Sequence, residues 1–482
     1  MIHNLLTSPV LPQAILLLMV CFILLFSVFV PNNRYGVYAF SQLALFLTAW
    51  SLYSLSTTTI QAGYLFHEAL KFDRLGAESG IVILILVFIC FAMSRQYNRE
   101  HNIPSQEFFI LALLSTLGML VLISAANLLS LYLGIELMSL PLYALIALKR
   151  KNQRCLESAL KYFIIGALAT GLLLYGFSFL FGLTGDMGFA AIQKSLSAES
   201  LLSSPMVMFS LILILSAILF KLGVVPFHSW VADVYDGAPN GVTLFIAGAP
   251  KVAVMIVLIR LLAGPFGLLA QHWQPVLEVA AALSIALGNL AAIAQSSIKR
   301  MLAYSSISHM GFALLGLCAA GYGLSRGYSA ALFYIISYAV MSVGAFGFLV
   351  MLSRCGKELN EISDLKGLGD EKPWAAFIFM LLMFSMAGVP PLVGFIAKIN
   401  VLENLIRVGL WPLAAFAILF SIIGAFYYIR VVKVMYFDRN TTPQALVLGA
   451  ESYSATTVVG LAVLAIGLLP GALLYLCQQM LS

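Results

Sequence analysis

Four ionisable residues stand inside stretches that otherwise carry almost no charge. Glu136 lies in "LYLGIELMSLPLYAL", Lys221 in "FSLILILSAILFKLGVVPFHSW", Lys251 in "FIAGAPKVAVMIVLI" and Lys398 in "FSMAGVPPLVGFIAKINVL". A charge at the centre of a bilayer costs roughly 2.5–3.5 kcal/mol on insertion scales, so its presence there points to function. The chemistry this favours is proton transfer. Desolvation favours the neutral forms of lysine and glutamate, and a nearby opposite charge favours the charged forms. A lysine balanced between the two loads and releases a proton, and moving its partner carboxylate switches it. A row of such lysines relays protons, with His228 and His309 as further stations.

Each of these charges has a proline close by: Pro141 after Glu136, Pro226 after Lys221, Pro250 before Lys251, and Pro390 and Pro391 before Lys398. Proline removes an i→i−4 hydrogen bond. Pro226 is thus expected to free the carbonyl of Leu222 beside Lys221, and Pro141 that of Leu137 beside Glu136. Irregular backbone at membrane depth is tolerated where protein or water satisfies it, so these pairings imply a hydrated interior.

Plainer roles compete. Lys161 lies four residues after Glu157, a spacing that suits an ion pair at a helix edge, and a lysine near a helix end also snorkels, as Arg260 is expected to do. Glu136 can serve as a helix–helix ion-pair partner. His309, in "YSSISHMGF", fits a satisfied polar residue at a helix interface, and His228 fits the polar end of a helix near Trp230.

The elements that must hold these residues follow from composition. Of 482 residues, 62% are hydrophobic and 10% charged, against about 25% charged in soluble domains. Mean hydropathy is +1.00. Apolar runs long enough to cross about 30 Å of hydrocarbon number fourteen, from 11–31 to 455–477. Their continuity excludes a barrel, whose strands alternate. The expected fold is an all-α polytopic membrane protein. Of the 26 Lys and Arg, sixteen fall in loops after odd-numbered helices and five in loops on the other side. The positive-inside rule then places both termini outside. The first apolar run has no basic flank or small-residue cleavage site and reads as a retained helix.

The six cysteines are scattered singly, with no C-x-x-C, which argues against zinc, haem c or iron–sulfur ligation. There is no P-loop and no dinucleotide fingerprint. The energy source therefore binds elsewhere or is an ion gradient. The longest polar loop, Ser353 to Trp374, holds nine charged residues of mixed sign and reads as a solvated connection or docking surface. One internal echo stands out: "LGVVPF" (222–227) recurs as "AGVPPL" (387–392). Paired interrupted helices mark transporter repeats and their binding sites.

Together, "LYLGIELMSLPLYAL", "FKLGVVPFHSWVADVYDGAP", "IKRMLAYSSISHMGF" and "FSMAGVPPLVGFIAKINVL" resemble the proton-pumping, antiporter-like membrane subunits of respiratory complex I, from about residue 80 to 435. These are related to subunits of multi-subunit cation/proton antiporters. The family resemblance implies fourteen helices: three N-terminal helices (1–106), two inverted five-helix repeats (107–262 and 275–435) and a last helix (455–477). The seventh and twelfth are broken. It also implies that Glu136 pairs with Lys221, that Lys251 is the central lysine, and that Lys398 stands where the sibling subunit M carries glutamate. This points to the N-type branch of the family rather than M. The absence of a long lateral helix disfavours the L branch, and the first three helices point to a bacterium and its inner (plasma) membrane. Ala232 and Pro250 depart from common choices in relatives without removing a proposed charge.

The implied activity is that of a translocase subunit. NADH, FMN, iron–sulfur clusters and quinone would bind other subunits, electron transport from NADH to quinone would occur there, and this chain would bind none of them. The implied partners are other membrane-arm subunits, including subunit M and small membrane subunits, and the lipid bilayer, with no nucleic acid. The alternative is a cation/proton antiporter subunit without redox coupling.

Overall fold

In lipid, an uncharged run of about twenty residues satisfies its backbone only by hydrogen-bonding within itself, hence as a helix. The expected runs are helical in the computed structural model, which describes residues 9–30, 33–58, 63–353, 358–439 and 449–481. In chain order the principal helices are α1 (Leu11–Phe29), α2 (Arg34–Thr58), α3 (Arg74–Glu100), α4 (Ser105–Ile123), α5 (Leu128–Ile146) and α6 (Gln153–Thr184). Then come α7a (Pro205–Leu222), α7b (Ser229–Gly237), α8a (Asn240–Ala247), α8b (Ala249–Ala263), α9 (Ala270–Ile293), α10 (Ile298–Gly321) and α11 (Arg326–Leu352). The chain closes with α12a (Pro373–Ala387), α12b (Val393–Arg407), α13 (Trp411–Phe437), α14 (Ala450–Leu468) and the short α15 (Gly471–Gln479). Among the described residues, twelve helices are long and apolar enough to cross a membrane, α8a and α8b counting as one. The other two expected crossings are also helical, one as α2 and one in two pieces as α12a and α12b.

Burial sorts these helices. The central stretch of the α8 segment is wholly buried, and those of α10 and α11 nearly so. Outer helices expose large apolar side chains such as Trp50, Ile422 and Phe426, as surfaces facing lipid or other subunits do. Two helix pairs are very closely packed. A Cβ on Gly118 of α4 would collide with the Met138 backbone of α5, and one on Gly288 of α9 with the Ser308 backbone of α10. Small residues permit such approach where packing, not the hydrophobic effect, drives association.

The interruptions differ from the sequence expectation in their cause. Helix α7a does not kink at Pro226. It ends at Leu222, and Gly223 closes it at φ 76°, a left-handed conformation that glycine adopts readily. The Gly223 N–H donates to the carbonyls of Leu219 and Phe220, and the Val224 N–H to Leu219. Gly388, at φ 89°, closes α12a in the same way. The echoed segments also share a cis X-Pro bond, Val225–Pro226 and Pro390–Pro391. Pro141, by contrast, sits inside α5 without interrupting it. A further break, not expected from the sequence, falls at Gly248 between α8a and α8b.

The long polar loop is not simply solvated. At its described end, Glu358 accepts hydrogen bonds from Lys149 Nζ (2.7 Å) and Tyr97 OH (2.5 Å). Asn360 and Ile362 then pair by backbone with Ile298 and Ser296 at the α9–α10 turn. Arg354, Cys355 and Lys357 of this loop lie outside the described residues. Burial would raise the Glu358 pKa, but the Lys299 charge and the Lys149 and Tyr97 hydrogen bonds outweigh it and hold the carboxyl at about 2, against an ordinary value of 4.5. A depressed carboxylate stabilises the fold above its unfolded pKa, and this contribution is lost as pH falls through the folded value. Glu358→Gln should therefore lower the thermal unfolding midpoint of the detergent-purified assembly at pH 7. Its deficit against the parent should shrink progressively below pH 4.5. A pH-independent deficit would assign the loss to packing instead.

At the opposite end, a two-stranded hairpin (Gly63–Leu65 with Leu70–Phe72) precedes α3. Arg260 does not snorkel. Its guanidinium is buried against Asp73 (2.7 and 2.5 Å) and donates to the Ile123 carbonyl. The α3 N-cap carboxylate and the last carbonyl of α4 supply what water would otherwise supply.

Candidate proton-relay site

Glu136 is half-buried on α5 and accepts a hydrogen bond from Thr170 Oγ1 of α6 at 2.7 Å. Ser139 and Tyr143 follow at i+3 and i+7, so one helix face carries all three. Lys221, in the last turn of α7a and 6% exposed, donates to Ser139 Oγ (2.8 Å) and Tyr143 OH (3.2 Å). No ion pair joins Glu136 to Lys221 among the described residues. The ammonium instead rests on the two hydroxyls that follow Glu136 along its helix, within reach of the carboxylate's field.

Lys251 occupies the first turn of α8b, just past the Gly248 break, and is 2% exposed. It donates to Ser306 Oγ of α10. The rings of Tyr235 and Tyr338 lie 5.6 and 5.4 Å from its ammonium. Tyr338 also stacks obliquely on His309, with ring centroids 5.2 Å apart. His309 is buried, and its two ring nitrogens contact Tyr334 OH (2.8 Å) and Tyr428 OH (3.1 Å). Tyr338 thus stands between the central lysine and this histidine.

Lys398 lies on α12b, but its ammonium reaches back across the break. It donates to the carbonyls of Met386 (3.1 Å) and Ala387 (2.8 Å), the last two residues of α12a, and to Ser421 Oγ of α13 (2.9 Å). His309, Tyr428, Ser421 and Lys398 line one small cavity. This resolves an asymmetry in the sequence, where Lys221 precedes its prolines and Lys398 follows them. Both lysines are thus tied to the C-terminal end of a first half-helix, Lys221 by its place in the last turn of α7a and Lys398 by its bonds to the end carbonyls of α12a, where the macrodipole favours a cation. Lys251, at the N-terminal end of α8b, has no such support.

Two candidates stand apart from this row. Lys161 is exposed on α6 and forms ion pairs with Glu157 (2.8 Å) and Asp233 (3.1 Å), the first at the expected i,i+4 spacing. His228 is the N-cap residue of α7b and half-buried, and its Nδ1 has no hydrogen-bond partner among the described residues.

The residues that sequence reading missed are the hydroxyl partners: Ser139, Tyr143, Thr170, Ser306, Tyr338, Tyr428 and Ser421. The first two were detectable from their i+3 and i+7 spacing to Glu136. The others belong to distant helices, and nothing local marks them. Among the described residues, no group of three His, Cys, Asp or Glu side chains is placed to hold a metal ion. The arrangement suits protonic chemistry: ammonium, imidazole and hydroxyl groups in series, in buried clusters.

The family model described as "NADH:quinone oxidoreductase/Mrp antiporter, TM" matches residues 125–424. Over 469 residues the chain is 48% identical to the NADH-quinone oxidoreductase subunit N of Coxiella burnetii, with 96% of each chain covered. A chain in the structure of respiratory complex I from Thermus thermophilus with bound aureothin is 31% identical and superposes with a TM-score of 0.81, over 96% of this chain and 98% of that one. A chain of the Mrp complex from Dietzia sp. shares the fold at a TM-score of 0.85 and 21% identity, over 99% and 97% of the two chains.

Proposed function

The chain belongs to the NADH:quinone oxidoreductase/Mrp antiporter membrane family, and from that premise we propose that Glu136, Lys221, Lys251, His309 and Lys398 form its proton-conducting row. The protein is an antiporter-like, multi-pass subunit of the membrane arm of respiratory complex I, a proton-translocating NADH-quinone oxidoreductase. Near-full-length relatives at 42–48% identity carry that name, which favours the redox-coupled reading over a free-standing antiporter.

The observation that carries the relay is the continuity from Lys251 through Tyr338 to His309, and from His309 across one cavity to Lys398. A proton arriving at Lys251 finds a cation-disfavouring helix start behind it and a cation-favouring helix end at Lys398 ahead of it. Lys221, with Glu136 in electrostatic reach, loads the other half. A shift of the Glu136 carboxylate changes how strongly Lys221 holds its proton. Lys161 and His228 belong to the rim of this row. The repeats are 107–262 and 275–435, preceded by 1–106 and followed by 455–477. The matching Gly-closed breaks of α7a and α12a support this division. Both termini face the outside of the bacterial inner membrane, in keeping with the distribution of basic loops. The neighbours include subunit M and small membrane subunits. NADH, FMN, iron–sulfur clusters and quinone are handled by other subunits.

Lys398→Ala tests the relay's outer half. In inverted membrane vesicles, the proton-to-electron ratio of NADH oxidation should fall while the assembled complex remains at normal abundance. An unchanged ratio would make Lys398 a structural lysine that merely caps α12a.

A further inference from the structure

By hydropathy Lys299 is one of the sixteen basic residues in loops after odd-numbered helices. The structure places it in the first turn of α10 with 1% exposure. Its Nζ donates to the Ala238 carbonyl at 2.8 Å. No carboxylate lies within 4.0 Å of it among the described residues, so it is a buried ammonium without a direct ion pair. The charged and titratable groups acting on it come from several elements: Glu358 of the strapping loop, Asp236 of α7b, Cys155 of α6 and Lys149 of the α5–α6 loop.

Two further observations give this lysine a direction. A cavity of about 80 Å³ is lined both by the exposed Asn152 and Arg154 and by Glu358 and the buried Ala238, the residue whose carbonyl holds Lys299. The cavity has room for a few waters. On the inner side, Lys299 and Ser306 are seven residues apart on α10, on one face and separated by about 10 Å of rise. Ser306 is the residue that binds Lys251. A polar group adjoins each end. Thr243 Oγ1 donates to the same Ala238 carbonyl (3.5 Å). The buried Tyr235 hydroxyl, whose ring lies beside Lys251, has no hydrogen-bond partner among the described residues.

We infer that Lys299 is the proton-input residue of this subunit, taking protons from the basic-loop side through the Glu358 cavity and passing them along the α10 face to Lys251. This rests on the relay reading above. The step is a simple proton exchange. Lys299 loses H⁺ from Nζ and becomes a neutral amine, the neutral Lys251 amine gains H⁺, and water in the cavity reprotonates Lys299. Glu358 itself is held too acidic to trade protons near neutrality. It is a positioning residue that keeps the loop and the positive charges in place.

The decisive variant is Lys299→Arg in the intact complex, assayed in inverted vesicles. Arginine keeps the charge but does not release its proton. Proton pumping should fall about tenfold, the low side of what a positioned proton-transfer group contributes. Lys299→His should recover part of it, with a changed pH profile. Pumping by Lys299→Arg at the parental rate and pH profile would overturn the inference. If arginine prevents assembly, Lys299→Ala decides through added small primary amines. Rescue whose rate tracks amine pKa supports proton transfer, and no rescue, or rescue indifferent to pKa, overturns it. Lys251→Arg in the same preparation separates the two levels. Normal pumping there removes the relay itself, whereas a defect there with normal Lys299→Arg removes only the input.

Discussion

Lys221→Ala is expected to lower NADH-driven proton pumping about tenfold or more, equivalent to at least about 1.4 kcal/mol of barrier, with the complex still assembled. The variant removes the one ammonium that bridges α7a to Ser139 and Tyr143 of α5. The fold loses little by this, because α7a is closed by Gly223 and its backbone bonds rather than by the lysine. Ser139 and Tyr143 are hydroxyls that can rotate to other partners. On the relay reading, what disappears is the group whose hold on a proton Glu136 adjusts. Lys221→Arg sharpens the test. It keeps a cation at the C-terminal end of α7a but does not deprotonate, so a relay predicts that pumping stays low. If Lys221→Arg pumps normally, the charge alone is needed and Lys221 anchors α7a to α5 without carrying protons.

Lys251→Met should have an effect at least as large. Lys251 is 2% exposed, and beside it stands Tyr338, which packs on His309. Methionine approximates the lysine stem in volume, and replacing a buried charge with a well-packed apolar group is often neutral for stability. Assembly and thermal stability should therefore hold while pumping collapses. Because the block lies within the proton path, quinone reduction should stay slow even when an uncoupler dissipates the gradient. Uncoupler-restored quinone reduction would show that electron transfer does not wait on Lys251, and would remove it from the coupled path.

The motifs that identified the family also held the site's charges, for a physical reason. A charge in an apolar run is conspicuous, and its cost demands a purpose. The interrupted helices were visible for a similar reason, since glycine and proline punctuate backbone locally. The cause of interruption was less visible. Proline drew attention at 226 and 141, yet Gly223 ends α7a and α5 continues through Pro141. Proline inside a membrane helix is tolerated when neighbours re-satisfy the freed groups, and neighbours are not a property of the local sequence. The same limit hid Arg260, whose carboxylate partner lies 187 residues away.

By itself, the sequence determined that the chain is a helical membrane protein, which residues carry charge into its interior, and which family it resembles. Hydropathy, charge cost and backbone punctuation are all local quantities. Only the tertiary structure decided how those charges are connected. Lys221 rests on two hydroxyls instead of on Glu136. Lys398 reaches back over its break to the same kind of helix end that carries Lys221, and Lys299, a loop charge by hydropathy, is a buried group. Each of these contacts joins helices far apart in the chain, so it depends on packing geometry that no single segment encodes.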